Sequence, residues 1–364
     1  MGRDVNMPAM QLHWDIFCRV IDNYGDIGVC WRLARQLAGE HGRQVRLWVD
    51  DLHSLQPLCP ACSPELPAQW LESVDVRRWT DDFTVDRVGE VIIEAFACEL
   101  PTPYLNAMAQ AVHRPCWVNL EYLTAESWAV GCHGLASPHP TLPLVKHFFF
   151  PGFTPSTGGL LREADLPLLT TATKEKPLEI SLFCYDTAPL AAWLSALAAT
   201  PHALCCHIPP GQPQAAVSAL LGGHGPWQVG QARLQPTPFL TIDAYDALLR
   251  RCAVNFVRGE DSFVRAQWAA RPFIWQIYRQ DDDAHLAKLQ AFLDHYTAAA
   301  EPPLREVVQQ LFMAWNTAGD LVDCWLAFIA QREAVHQHNL AWRSELMRMS
   351  DLSTALVNFC ASKV

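Results

Sequence analysis

Short apolar runs alternate with amphipathic segments along the first part of the chain. The apolar run at 12–20 precedes a segment whose apolar residues recur at helical spacing, namely Ile27, Cys30, Leu33, Ala34 and Leu37. We therefore predict a strand followed by a helix from about Ile27 to Ala38. Further strands are predicted at 44–50, 74–79, 90–96 and 116–122, with a helix at 104–112. Such alternation is typical of a parallel sheet with helices on both faces.

A stretch rich in Pro, Gly, Ser and Thr, residues 137–169, interrupts the alternation, and we place an interdomain linker within it near 150–165. A second series follows, with strands predicted at 178–185, 202–210, 253–259 and 272–278 and helices at 188–199, 214–222, 243–252 and 261–270. Helices dominate after Asp282. We predict an N-terminal α/β domain at 1–153, a C-terminal α/β domain at 154–340 and a helical segment at 341–364.

Two doubly wound, Rossmann-like domains joined by a linker would enclose a central cleft between the carboxyl ends of their sheets, where ligands bind in such folds. The two-domain glycosyltransferase fold and the periplasmic-binding-protein fold share this layout. The first 15 residues contain no apolar signal core, which disfavours the second fold and predicts a cytoplasmic protein.

Composition narrows the classes of partner. Of 364 residues, 50% are hydrophobic and the net charge is −11, which argues against a nucleic-acid-binding surface. No apolar run approaches the roughly 20 residues that span a bilayer. The 13 cysteines are expected to be reduced thiols. The pair Cys59 and Cys62 has a metal-like spacing but lies in a Pro-rich loop, so we interpret it as an ordinary loop, with zinc or redox chemistry as the alternative.

The sequence DNYGD at 22–26 places two carboxylates in the turn between the first strand and the first helix. Asp26 has an ordinary explanation as a helix N-cap, and Asp22 as a side chain that bonds its own turn. Together, however, they lie at the carboxyl edge of the sheet, where they would repel a phosphate. The pair suits a cationic or hydroxyl-bearing acceptor and would supply a general base.

A second turn, between the strand that ends at Val257 and the next helix, favours a donor site. Gly259 allows close approach of a ligand, and the helix N-terminus, Ser262 and Arg258 suit a diphosphate. Glu260 and Asp261 suit sugar or ribose hydroxyls, although acidic residues in a first helical turn are also common surface features. Four aromatic residues of the second series could stack a nucleobase, namely Phe183, Tyr185, Phe239 and Tyr245. Core packing is the simpler interpretation of each from pattern alone, and Tyr185, where its strand ends, is the exception.

Six longer blocks carry a family resemblance: WDIFCRVIDNYGDIGVCWRLARQLA, EAFACELP, NLEYLTAESW, FFFPGFTPSTGGLLRE, VRGEDSFVRAQWAARPFIWQIY and DDAHLAKLQAF. In this order they resemble the bacterial protein-arginine rhamnosyltransferases that modify elongation factor P, the EarP family. The blocks cover most of the chain. Their length makes them more specific than any short motif.

The resemblance implies a GT-B glycosyltransferase fold whose C-terminal helical segment crosses back to the N-terminal domain. It implies inverting transfer of L-rhamnose from dTDP-β-L-rhamnose to one arginine of elongation factor P, which is thereby activated to relieve polyproline stalling. No metal or other cofactor, no nucleic acid and no membrane are expected, and we expect a monomer. The acceptor surface and the kinetic order stay open.

The resemblance also implies roles for single residues. Asp26 matches the general base, and Asp22 matches its essential acidic neighbour. The donor contacts match the residues already singled out, namely Phe183, Tyr185, Phe239, Tyr245, Glu260, Asp261 and Ser262, with Arg258 added on physical grounds. The family often has Gln in the segment where this chain has Ile242, which puts a side-chain hydrogen bond to thymine in doubt.

Two alternatives remain at this point. A nicotinamide-dependent oxidoreductase could bind a ribose through Asp50 or Asp51, although the first turn lacks a full G-x-G-x-x-G. A nucleotide-sugar-binding protein could dock elongation factor P without performing chemistry.

Overall fold

The computed structural model describes residues 12–363 except 23, 81, 83, 168 and 170–176. The segment on which the signal-peptide expectation rests lies largely outside these residues. Within the described residues, no helix is long and apolar enough to cross a membrane.

The N-terminal half of the chain forms an eight-stranded sheet in the order β3-β4-β2-β1-β5-β6-β8-β7. Only the edge strands β3 and β7 run antiparallel to their neighbours. The strands are β1 (His13–Cys18), β2 (Gln44–Val49), β3 (Ala68–Leu71), β4 (Val74–Arg78), β5 (Val91–Ala95), β6 (Cys116–Leu120), β7 (Ala136–Pro138) and β8 (Val145–Phe149). The helices are α1 (Gly25–Gly39), α2 (Leu52–Leu55), α3 (Thr102–Gln110) and α4 (Trp128–Cys132).

The C-terminal half forms a six-stranded sheet in the order β11-β12-β10-β9-β13-β14, in which only β11 is antiparallel. The strands are β9 (Leu178–Leu182), β10 (Leu204–Ile208), β11 (Trp227–Val229), β12 (Ala232–Pro236), β13 (Val254–Arg258) and β14 (Phe273–Gln276). The helices are α5 (Leu190–Ala199), α6 (Gln212–Leu221), α7 (Ile242–Arg251), α8 (Asp261–Ala269), α9 (Ala284–Tyr296), α10 (Pro302–Thr317), α11 (Leu321–Ala330), α12 (Arg332–Leu346) and α13 (Leu352–Ala361).

The first sheet is buried on both faces because apolar residues fill both sides of its central strands. Along β1, Trp14 and Ile16 pack into the core beneath α1, while Phe17 packs into a second core with Trp48 and Tyr104 on the opposite face. Successive strand residues point to opposite faces, so a continuous apolar run is the pattern expected for such a strand.

The structure adds strands that the pattern did not predict, namely β3, β7, β8, β11 and β12. β8 lies inside the stretch rich in Pro, Gly, Ser and Thr, where its short apolar run is flanked by turn-forming residues. β3, β7 and β11 have three or four residues each and lie at sheet edges, where one side stays exposed and the apolar signal is weak.

The last helix returns to the first half of the molecule. α13 buries Leu352, Leu356 and Cys360 in the core beneath α1. Where the chain crosses back it lies against the first crossing, because the Leu352 N–H donates to the Leu160 carbonyl at 3.0 Å. Gly159 has φ +71°, and a Cβ there would lie 2.2 Å from the Ser350 carbonyl oxygen, so no side chain fits at this junction.

Candidate active site in the interdomain cleft

The acidic loop after β1 is held by carboxylates that accept backbone N–H groups. The Asp50 carboxylate accepts from Val20 N–H, and Asp26 Oδ2 accepts from the N–H groups of both Ile21 and Asp22, each at 2.9 Å. α1 begins at Gly25, so Asp26 lies within its first turn and its carboxylate points back to the loop. The ordinary interpretation of Asp26 as an N-cap is therefore wrong.

Asp26 is buried, with 2% of its surface exposed. Burial raises the pKa of the Asp26 carboxyl, and the hydrogen bonds from Asp22, Ile21 and Tyr122 offset only part of this effect. The Tyr122 hydroxyl donates to Asp26 Oδ1 at 3.2 Å. A carboxylate with a raised pKa accepts a proton more readily, as a general base requires.

The Asp22 side chain contacts the opposite domain. Tyr185 lies in the segment that follows β9, and its hydroxyl donates to Asp22 Oδ2 at 2.6 Å. The centre of the Tyr185 ring lies 4.5 Å from the Arg258 guanidinium and 5.6 Å from the centre of the Tyr278 ring. Gly259 packs onto this contact with φ +60°, and a Cβ there would lie 2.9 Å from Asp22 Oδ2.

Two cavities meet at the acidic loop. Cavity one, of about 830 Å³, is lined mainly by apolar and aromatic side chains. Its polar lining residues include Arg32, Arg258 and Ser262. Cavity two, of about 840 Å³, is lined by Asp26, Glu260, Tyr122 and Lys288 among others. Asp22 and Gly25 border both cavities, so one ligand could extend from one cavity into the other along this loop.

In cavity one, Arg258 is fixed by stacking and by hydrogen bonds. Its guanidinium lies 4.5 Å from the ring centres of both Phe183 and Tyr185, and its Nη1 donates to the Cys184 carbonyl at 3.0 Å and to Gln212. The Ser262 hydroxyl accepts from the Arg258 N–H at 3.0 Å and donates to the Arg258 carbonyl. Ser262 therefore shapes the turn as well as lining the cavity.

Phe183, Phe239 and Tyr245 line cavity one, whereas Tyr185 lines neither cavity. Tyr245 lies beside Ser262, its pKa is raised by burial, and its buried hydroxyl has no well-formed hydrogen bond within the described part of the chain. Phe239 is 37% exposed and contacts Tyr24 across the cleft at 4.9 Å between ring centres. Ile242 lies in the same wall and presents no polar group to a base.

Glu260 and Asp261 both contact the N-terminal domain. Glu260 Oε2 accepts from Leu123 N–H at 2.9 Å, and Asp261 Oδ1 lies 2.8 Å from Arg32 Nε. Burial raises the pKa of Glu260 to about 7, although Lys288 and the Leu123 N–H both lower it. Asp261 lines cavity one and Glu260 lines cavity two. Each carboxylate could accept from a sugar hydroxyl while it keeps its contact with the N-terminal domain.

A buried ionic cluster, which the sequence analysis did not find, joins the two domains beside cavity one. Arg32 of α1 contacts Asp246 at 2.9 Å and Asp261 at 2.8 Å, and lies 3.5 Å from Glu163. Arg265 contacts Glu163 at 2.6 Å and Asp246 at 2.8 Å. Burial alone would raise the pKa of Glu163, but Arg265 and Arg32 outweigh it and hold that pKa below its usual value. The signal in the sequence was Arg32 itself, a charged residue among the apolar positions of the predicted first helix.

Tyr122 and Lys288 were also missed. Tyr122 follows β6 at the same sheet edge as the acidic loop, so the strand-end argument that selected Asp22 would have selected it too. Lys288 is half-buried on α9 and lines cavity two. Burial lowers the pKa of Lys288, and the nearby carboxylates of Glu260 and Glu126 partly restore it. Helical spacing alone gave no indication that this lysine faces a cavity.

Among the described residues, one cluster has the ligand types and spacing for a metal ion, namely Glu179, His207 and Cys252. Arg251 is ion-paired with the Glu179 carboxylate, which satisfies that charge. Cys59 and Cys62 pack into the core beneath α1, and burial raises the pKa of both thiols, that of Cys62 to about 11. Their environment is that of ordinary apolar side chains.

The ribose contacts that the oxidoreductase alternative requires are already engaged. Asp50 accepts from Val20 N–H, and Asp51 caps α2 by accepting from His53 N–H and the Ser54 hydroxyl. Both carboxylates therefore have structural roles, through Asp50 Oδ1 and through both oxygens of Asp51.

Comparisons with known proteins agree on one family. Residues 14–361 match the family model described as elongation factor P rhamnosyltransferase EarP. A protein-arginine rhamnosyltransferase of Pseudomonas putida is 44% identical, with 96% of this chain and 99% of the relative covered. A solved structure describing EarP-mediated arginine glycosylation of elongation factor P is 33% identical, covers 97% of this chain and 100% of its own, and has a TM-score of 0.66. A spinosyn rhamnosyltransferase, 11% identical with a TM-score of 0.55 and coverage of 96% and 99%, shares the fold alone.

Proposed function

The chain belongs to the EarP family of elongation-factor-P rhamnosyltransferases and has the GT-B fold, and we propose that it transfers L-rhamnose from dTDP-β-L-rhamnose to one arginine of elongation factor P with inversion at the anomeric carbon. The single observation that carries the proposal is the position of Asp22 and Asp26. Their loop borders an apolar, arginine-containing cavity on one side and an acidic cavity on the other.

Cavity two suits a guanidinium. Asp22, Asp26 and Glu260 line it, and charge-assisted hydrogen bonds from carboxylates can hold a planar cation and orient one nitrogen. The stacked rings of Phe96 and Tyr122, 4.5 Å apart, form an apolar wall beside these carboxylates. A guanidinium is practically never deprotonated in water, so its nitrogen needs a base during the reaction rather than before it.

The proposed step is a direct displacement. The guanidinium nitrogen attacks the anomeric carbon, the bond from that carbon to the diphosphate oxygen breaks, and dTDP leaves with the electron pair. Asp26 takes the proton from the nitrogen as the new bond forms. Its raised pKa suits it to this task, and the backbone N–H groups of Ile21 and Asp22 keep its second oxygen fixed.

Cavity one suits the nucleoside diphosphate. The first turn of α8, with Ser262, and the side chain of Arg258 would stabilise the charge that develops on the departing diphosphate. Asp261 in that turn would oppose an anion, but Arg32 lies 2.8 Å from its carboxylate and neutralises it. The buried hydroxyl of Tyr245, beside Ser262, offers one further donor to a ligand oxygen.

These protein groups provide the positive charge on which the leaving group depends, so we propose that the reaction needs no metal. The deciding measurement is intact-protein mass spectrometry of unmodified elongation factor P incubated with this protein and dTDP-L-rhamnose in the presence of chelator. One added deoxyhexose on a single arginine supports the transfer and the metal-free step. Addition only with Mg²⁺ refutes the metal-free step, and no addition under either condition refutes the transfer. We further propose that the modified factor is the form that relieves polyproline stalling.

A further inference from the structure

A mixed set of metal-binding side chains lies on the second sheet, beside the end of α7. Glu179 belongs to β9, His207 to β10 and Cys252 to the turn between α7 and β13. Their carboxylate oxygen, imidazole nitrogen and thiol sulfur all lie within 4.8 Å of one another. The proposed transfer uses none of these three groups, so the cluster needs an explanation of its own.

The backbone holds the three side chains in fixed positions. β9 and β10 pair in parallel with Glu179 opposite Cys205, so His207 follows on the same face of the sheet. Ala253, which follows Cys252, donates its N–H to the Glu179 carbonyl at 2.7 Å. His207 Nε2 lies 3.8 Å from Glu179 Oε2. A tetrahedral zinc ion, with bonds of about 2.0–2.3 Å, holds its ligand atoms about 3.5 Å apart, so this pair is already close to the required separation.

A cation already lies beside these groups. The Arg251 guanidinium is ion-paired with Glu179, and its Nη2 lies 3.5 Å from His207 Nε2. Since a guanidinium only donates hydrogen bonds, the His207 nitrogen presents a lone pair to the cluster. The Arg251 side chain is 57% exposed, so it has room to move into solvent and open a path to the ligands. Arg251 is therefore a displaceable counter-ion of Glu179.

We propose that Glu179, His207 and Cys252 form a zinc-binding site whose fourth position is open to water. A carboxylate, an imidazole and a thiolate are the ligand types that Zn²⁺ takes, whereas Mg²⁺ and Ca²⁺ prefer oxygen ligands alone. Glu179 and the Cys252 thiolate would balance the charge of the ion and release Arg251. Burial lowers the pKa of His207, which keeps the imidazole neutral, and raises the pKa of the Cys252 thiol, whose proton a bound zinc ion displaces to solvent.

A zinc ion at this site would clamp the wall of cavity one. Ser181 of β9, His207 of β10 and Leu248 of α7 all line that cavity, and the three ligands belong to the same elements or directly follow them. The ion would fix the separation of these elements and would take no part in bond breaking. This inference therefore goes beyond the proposed transfer and does not depend on it.

The test titrates the full-length protein, stripped of metal by chelator, with Co²⁺, whose absorption reports its ligands. The first equivalent should show the charge-transfer band of a cobalt–thiolate bond, and Zn²⁺ should displace it. Cys252→Ser should lose this band. Glu179→Gln should keep it but bind Zn²⁺ roughly hundredfold more weakly in competition with a chromophoric chelator, since even the loss of an outer partner of a metal ligand costs about 10–100-fold.

Arg251→Gln gives the sharpest result, because it removes the competing cation and leaves all three ligands in place. A hydrogen bond to a charged group contributes a factor of roughly ten or more, so this variant should bind Zn²⁺ about tenfold more tightly than wild type. Arg250→Gln is the matched control, since it removes the preceding arginine of the same helical turn and should keep the wild-type affinity. Cys324→Ser removes a partly buried thiol of α11 and should keep the cobalt–thiolate band.

Three results would overturn the site: a wild type without the cobalt–thiolate band, a band that persists in Cys252→Ser, or an unchanged zinc affinity in Arg251→Gln. If Cys252→Ser does not fold, Glu179→Gln and Arg251→Gln decide the matter, because both side chains are partly exposed. Rhamnosyl transfer is measured separately on the metal-free wild type. Transfer in chelator without a zinc site refutes the site and leaves the proposed function intact.

Discussion

Replacing Asp26 by asparagine tests the proposed base while preserving the loop that holds it. In the wild type, Asp26 Oδ2 accepts two backbone N–H groups and Oδ1 accepts from the Tyr122 hydroxyl. The amide oxygen of asparagine can accept the same two N–H groups. Its NH₂ group would face Tyr122, whose hydroxyl can rotate to accept instead of donating. The substitution therefore removes a charge and a proton acceptor without leaving a buried group unpaired.

The expected loss is the contribution of general-base catalysis, a factor of about 10²–10⁴ in rate, or about 3–5 kcal/mol of barrier. Of the other carboxylates that line cavity two, Asp22 accepts from the Tyr185 hydroxyl and Glu260 accepts from the Leu123 N–H. The thermal midpoint should not fall. Because burial raises the pKa of Asp26 in the folded state, its ionised form opposes folding above the unfolded pKa, and Asp26→Asn relieves that cost at neutral pH.

Initial rates of rhamnosyl transfer by intact-protein mass spectrometry, dTDP affinity by calorimetry and the thermal midpoint would be measured together. Asp50→Asn is the matched control, because Asp50 also holds a backbone N–H of this loop but lies outside both cavities. It should transfer rhamnose at the wild-type rate. An Asp26→Asn variant within threefold of wild type would refute the assignment of the base, whereas a midpoint lowered by several degrees would refute the account of the loop.

Four further predictions follow from the same geometry. Arg32→Met leaves the carboxylates of the ionic cluster with Arg265 and should lower the free energy of unfolding by about 3–5 kcal/mol in chemical denaturation. Arg32→Lys should recover little of this loss. An unchanged free energy of unfolding in Arg32→Met would show that the cluster is not stabilising. Transfer efficiency of the wild type should fall as the pH drops through about 7, where Glu260 becomes protonated, and Glu260→Gln should show a weaker fall. The thermal midpoint of Glu260→Gln should exceed that of the wild type at pH 8 and equal it at pH 4. The reason is that the raised pKa of Glu260 in the folded protein makes its ionised form unfavourable for folding at high pH. Arg258→Lys loses stacking on two rings and should weaken dTDP binding roughly tenfold by calorimetry; an equal affinity would move the diphosphate elsewhere. Leu356→Ala should lower the free energy of unfolding by about 2–5 kcal/mol, while exposed Leu220→Ala should not.

The central strands of both sheets could be predicted from sequence because they are buried on both faces. β1, β5 and β13 are buried along almost their whole length and carry only one or two polar residues each, which is the pattern of a strand covered on both faces. Edge strands such as β7 carry no such signal, since one side faces solvent and pairing with a neighbour supplies much of their stability. Their existence depends on contacts that composition does not encode.

The candidate site was predictable where it follows the ends of strands. Asp22 and Asp26 were selected because the turn after a first parallel strand lies at the ligand-binding edge of a sheet. The partner of Asp22 was not predictable, because Tyr185 is 163 residues away and meets it only when the two domains pack. The same reason hid Arg32, whose partners belong to three separate segments of the chain.

The doubled crossing between the domains has a mechanical consequence. The chain passes from one sheet to the other before β9 and returns before α13, and the two passages touch where Leu352 bonds Leu160 and where Gly159 leaves room for no side chain. We expect two interdomain crossings that are held side by side to favour rotation of one domain about the line of the crossings. They should resist sliding or twisting of one domain against the other. A bulkier residue at Gly159 would push the two crossings apart, from a position that lines neither cavity.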